Sequence, residues 1–197
     1  MERWFSVARV VSVDDDLLAP GTVGLTPIGG NTGKVIRFGQ WIVSHPFARW
    51  FSKDTQPDYQ HAFVYLGDGK LIEAEPGGAR INDISEYANA EVYWCVNLAH
   101  QYTLEQLENV AEEAEKFAGT PYSFLDYFAI AARRLHIPVP GLRAYLNSTG
   151  HVICSQLATM AYLRAGLAIY PKSLWPGYVD PMDLYYLDQK FASPAAS

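Results

Sequence analysis

Tyr59-Gln60-His61-Ala62-Phe63-Val64-Tyr65-Leu66-Gly67-Asp68-Gly69-Lys70-Leu71-Ile72-Glu73-Ala74-Glu75-Pro76 reads as two short strands joined at Gly-Asp-Gly, a β-hairpin. Its apolar residues set the register. Pairing Val64 with Ile72 and Ala62 with Ala74 makes one face wholly apolar, whereas a slip of one residue sets Glu73 opposite Val64. The favoured register puts His61, Phe63, Tyr65, Leu71, Glu73 and Glu75 on the other face, with Glu75 directly opposite His61 and Glu73 on the diagonal. Diagonal neighbours lie about 7–8 Å apart, within reach of long side chains. Either carboxylate can therefore hold the imidazole, fixing its tautomer and favouring its charged form, as a base serving a thiol requires.

A thiol lies far downstream, in Gly150-His151-Val152-Ile153-Cys154-Ser155-Gln156-Leu157-Ala158-Thr159-Met160-Ala161-Tyr162-Leu163-Arg164-Ala165-Gly166. Leu157, Met160, Ala161 and Leu163 recur at helical spacing, Asn147 to Gly150 supply start signals and Gly166 a stop. Cys154 thus falls in the first turn of a helix. Unpaired amides and the positive end of the helix dipole stabilise a thiolate there, the form that attacks carbonyls. A free cysteine is otherwise most often a small core hydrophobe, and Cys95, inside the strand-like run from Glu91 to Val96, is read that way. What distinguishes Cys154 is the histidine and carboxylate pair upstream.

A chain of 197 residues suits one domain, expected over 1–190 with 191–197 as a flexible tail, and can bury about 70% of its unfolded surface. With a formal net charge of −6 and scattered Lys and Arg, it lacks the basic stripe that nucleic acid needs. No signal-peptide pattern follows Met1, and no stretch approaches the roughly 18 apolar residues of a membrane span, so the chain is read as soluble and cytoplasmic. Neither a P-loop nor a calcium-loop pattern occurs. A zinc site of Cys154, His61 and Glu73 is disfavoured by the lone cysteine and the absence of a short ligand pair. No metal or cofactor is expected.

Outside the two key stretches, Thr22 to Thr26 reads as a short strand, and Lys34 to Val43 as a helix. Ile81 to Tyr87 reads as a turn with a short helix, and Glu91 to Leu98 as a strand. Thr103-Leu104-Glu105-Gln106 is a capping box opening an amphipathic helix that ends at Gly119. Tyr122 to Leu135 forms a second helix, apolar nearly all round, followed by a proline-punctuated loop from His136 to Arg143. Asp180-Pro181 is a cap and first helical position.

The order histidine strand, carboxylate strand, nucleophile helix resembles the circularly permuted branch of the NlpC-type papain-like thiol superfamily, which includes YiiX-like proteins and the lecithin retinol acyltransferase family. His61 to Gly69 with Leu71 to Ala74, the Gly119-Thr120-Pro121-Tyr122 turn, and Val152 to Leu157 carry the likeness, which spans most of the chain. It implies an α+β fold, an antiparallel sheet or half-barrel packed against helices with the nucleophile at a helix N-terminus. It further implies Cys154 as nucleophile, His61 as base and Glu73, rather than Glu75, as orienter. Thr22 stands where relatives often carry aspartate, and the stretch between Tyr122 and Cys154 is long.

The expected activity is a cysteine hydrolase, a peptidase or amidase, working through an acyl-thioester on Cys154 with a peptide, amide or acyl-ester substrate. The Cys154 amide and Tyr122 are candidate donors to the oxyanion. Acyl transfer on a lipid-like substrate, or a binding module that kept the fold without the chemistry, are the alternatives.

Overall fold

The computed structural model describes residues 18–27, 59–75, 77–121, 153–171, 176 and 179–192. The helices expected over Lys34–Val43 and Tyr122–Leu135, the loop from His136 to Arg143, and Tyr122 itself lie outside them. Five strands, β1 (Val23–Thr26), β2 (His61–Gly67), β3 (Lys70–Glu75), β4 (Gly78–Asp83) and β5 (Tyr93–Trp94), form a sheet of order β4-β3-β2-β1-β5. Every neighbouring pair is antiparallel. Among the described residues, four helices accompany it: α1 (Val96–Ala99), α2 (Leu104–Glu115), α3 (Cys154–Arg164) and α4 (Pro181–Ala192). The architecture is α+β, an antiparallel sheet packed against helices.

The β2–β3 hairpin has the register that its apolar residues dictate, with Val64 opposite Ile72 and Phe63 opposite Glu73. Asp68 and Gly69 form the turn with φ of 49° and 68°, left-handed at both positions as a two-residue hairpin of this twist demands. Ala62, Val64, Ile72 and Ala74 join Val23 and Leu25 in the main core beneath Leu107, Val110 and Ala114 of α2 and Leu157, Ala158 and Ala161 of α3. A slip of β3 by one residue would set Glu73 opposite Val64 in place of Ile72. That forfeits about 1.5–3 kcal/mol per buried aliphatic side chain before the buried charge is counted.

The opposite face is covered as well. Phe63 and Leu71 pack against Tyr87, Ala90 and Val92, so the segment after β4 folds back over the sheet. Here the structure departs from the sequence expectation. Gly78–Asp83 is a strand and the short helix is a 3-10 turn confined to Ile84–Tyr87, while the strand expected over Glu91–Leu98 shrinks to Tyr93–Trp94 before α1 begins. Pairing with β3 overrides local propensity in β4.

The helix ends follow their signals. Thr103 and Gln106 bond reciprocally, the Gln106 amide to Thr103 Oγ1 at 3.2 Å and the Thr103 amide to Gln106 Oε1 at 2.9 Å. Asp180 and Asp183 exchange the same pair of bonds at the start of α4. At the end of α3, Gly166 takes φ 83°, and the Leu167 amide reaches the Tyr162 carbonyl at 2.8 Å, closing a Schellman motif. α4 runs on through Phe191 and Ala192, two residues into the stretch read as a tail.

Candidate active site

His61 is the first residue of β2, paired with Thr26 of β1. Glu73 sits in β3 opposite Phe63, on the diagonal from His61. The two side chains meet, His61 Nε2 lying 2.8 Å from Glu73 Oε2. They are no surface pair, being 3% and 1% exposed. Cys154 adjoins the His61 ring closely enough that its thiol acts on the ring's protonation. Nε2 is held by Glu73, and Nδ1 is the other buried nitrogen of the ring.

Cys154 is the first residue of α3, and Ile153 caps the helix. An isoleucine side chain has no acceptor to offer the first-turn amides, so no capping side chain at that position competes for them. Gln156 Oε1 instead reaches back to the Ile153 amide at 3.3 Å, and Ser155 Oγ is turned away to the Val179 carbonyl at 2.7 Å. Cys154 therefore stands at the positive end of a three-turn helix and beside an imidazole.

Charge at the site follows from these contacts. Burial alone would lower the His61 pKa, but the hydrogen bonds to Cys154 and Glu73 and the charges of both outweigh it and raise it from 6.5 to about 10. Burial would raise that of Glu73, yet the His61 bond and charge, the Tyr87 hydroxyl and the Arg80 charge bring it from 4.5 down to about 2. The imidazole is thus held as a cation between two acidic partners, the condition under which a neighbouring thiol gives up its proton.

Glu73 is gripped from the far side by residues that sequence reasoning did not single out. Tyr87 donates its hydroxyl to Oε2, Asn82 Nδ2 donates to Oε1, and Arg80 Nη2 lies 3.4 Å from Oε1. The signal for them was the alternation of Arg80 and Asn82 in β4, which becomes legible once Glu73 is paired with Arg80 and Leu71 with Asn82. Glu75, the other carboxylate that the register allowed, bonds Arg80. Burial, then the Glu73 charge, raise its pKa.

Of the residues expected at the site, Cys154, His61 and Glu73 come together, Glu75 stands one step behind them on Arg80, and Tyr122 is outside the described residues. His61, Glu73 and Glu75 present three potential ligand atoms within 4.8 Å of one another. The Arg80 guanidinium in contact with both carboxylates already supplies the positive charge that a cation would bring. Cys95 is buried in the main core, and burial with the Asp188 charge raises its thiol pKa well above the ordinary value. No protein-family profile, curated protein or solved structure matches the chain. Among the described residues no helix is long and apolar enough to cross a membrane.

Proposed function

We propose that this chain is a thiol hydrolase, a peptidase or amidase, of the circularly permuted NlpC-type papain-like class. The observation that carries the reading is one imidazole bonded to a buried carboxylate and set beside a thiol in the first turn of a helix. The chain order of His61, Glu73 and Cys154 supports the permuted assignment.

His61 takes the Cys154 proton, and the thiolate attacks the carbonyl carbon of an amide or ester. A C–S bond forms and the carbonyl π pair moves to oxygen, which faces the Cys154 amide at the helix start. The tetrahedral adduct collapses, the C–N or C–O bond breaks, and His61 passes its proton to the departing amine or alcohol. Water, deprotonated by His61, then attacks the thioester and releases the acid and the thiol. Glu73 orients the ring throughout, whether it is imidazolium or neutral imidazole. Such chemistry needs a reduced thiol, and a reducing compartment such as the cytoplasm is the setting that this reading assigns.

Alkylation by iodoacetamide near neutral pH, located by mass spectrometry, tests the proposal. Cys154 is expected to react far faster than Cys95, which serves as an internal control, and His61→Ala to slow Cys154 by at least about tenfold. A Cys154 as inert as Cys95, or one indifferent to His61→Ala, rejects the hydrolase and leaves a binding module with the same fold.

A further inference from the structure

Glu73 presents a physical problem that the mechanism alone does not solve. A carboxyl that is 1% exposed is driven by desolvation toward its neutral form, and a neutral carboxyl cannot hold an imidazolium. Three side chains besides His61 converge on it, all from the segment that folds back beyond β3. Asn82 and Arg80 occupy Oε1, so that Oε2 is shared by Tyr87 and His61. The Tyr87 ring packs on Phe63 with centroids 4.7 Å apart, which fixes the direction from which its hydroxyl arrives. Arg80 bridges Glu73 to Glu75 and relieves the repulsion between two carboxylates on one strand.

We propose that Arg80, Asn82 and Tyr87 are positioning residues for the Cys154–His61 pair, acting through Glu73. The inference rests on the thiol-hydrolase reading. Their joint effect is to deny Glu73 a proton. The proton taken from sulfur then stays on the imidazole, available to the leaving group, instead of passing on to the carboxylate. With the donors removed, a proton can shift from His61 to Glu73, giving a neutral pair that neither favours the thiolate nor donates at the right nitrogen. The charged and titratable groups around Glu73 are His61 from β2, Glu75 from its own strand, Arg80 from β4, Tyr87 from the 3-10 turn, and Cys154 beyond His61, with Glu86 acting on Arg80.

The test is a set of double-mutant cycles on the full chain, read as the rate of Cys154 alkylation by iodoacetamide from acid to alkaline pH. Tyr87→Phe, Asn82→Ala and Arg80→Met are each expected to slow the reaction at neutral pH by about tenfold, the loss expected when a hydrogen bond to a charged group is removed. Each should also move the acid limb of the profile to higher pH. Arg80→Lys should recover most of the Arg80→Met loss. In a Glu73→Gln background the same substitutions should have no further effect. Tyr87→Phe keeps the ring on Phe63 and removes one oxygen, so it carries the test even if the bulkier deletions unfold. Wild-type profiles in all three variants, or losses that persist undiminished beside Glu73→Gln, overturn the proposal. An inert wild-type thiol instead overturns the hydrolase reading on which it rests.

Discussion

At the scale of single residues, the His61–Glu73 pair makes stability depend on pH from both sides. The Glu73 pKa falls on folding, so its contribution is complete above the unfolded value of 4.5 and is lost as pH falls toward about 2. The His61 pKa rises on folding, so its contribution is complete below the unfolded value of 6.5 and is lost as pH rises toward about 10. The difference in melting temperature between wild type and Glu73→Gln should therefore be largest between about pH 4.5 and 6.5 and shrink on either side. A difference that stays level from acid to alkaline pH would show that the pair is not ionised in the fold. On the proposed hydrolase reading, the reactivity of Cys154 and the stability of the fold depend on the same proton. Variants made for one must be measured for both.

At the scale of elements, α4 is fastened by one buried carboxylate. Asp188 accepts from the Tyr93 hydroxyl at 2.6 Å, from Asn97 Nδ2 at 2.9 Å and from the Leu98 amide at 2.7 Å, joining the last helix to β5 and α1. Asp188→Ala leaves three donors without their acceptor and should cost about 2–4 kcal/mol in equilibrium urea unfolding. A loss under 1 kcal/mol, on the order of one net hydrogen bond, would mean that water replaces the carboxylate. Nothing in the sequence marked this clasp, because an aspartate in mid-helix looks solvated until the helix is docked. The hairpin was legible because its alternating apolar residues admit a single register, and α2, α3 and α4 because their caps and stops are local chemistry. β4 was not. Ile81, on the face it shares with Ile72 and Ala79, is exposed, and the opposite face is polar at Arg80 and Asn82, so neither a helical nor a strand period stands out, and only the pairing with β3 defines it. The missed support of Glu73 follows from the missed strand.

At the scale of the whole molecule, the sheet is a middle layer with unlike covers. Helices α2 and α3 press on one side; on the other, aromatic rings lock the 3-10 turn down, with Phe63 against Tyr87 and, edge-on at 5.4 Å, against Trp94. Gly24 on β1 makes room for that layer, since a Cβ at this position would overlap the Phe63 ring. Gly24→Ala should thus tilt Phe63, disturb Tyr87 behind it, and cost about 1–3 kcal/mol as an overpacked core position does. Slower alkylation of Cys154 should accompany the lower melting temperature. Unchanged reactivity would show that the aromatic layer and the thiol are uncoupled.

His61 and Glu73 stand on the two arms of one hairpin, twelve residues apart, whereas the sulfur arrives on a helix much later in the chain. The first two can meet as soon as that ribbon closes; the third arrives only when the helix docks against the finished sheet. Under the proposed chemistry, a nascent or half-folded copy therefore carries an ordinary thiol, and the sulfur becomes activated only in molecules that have completed assembly.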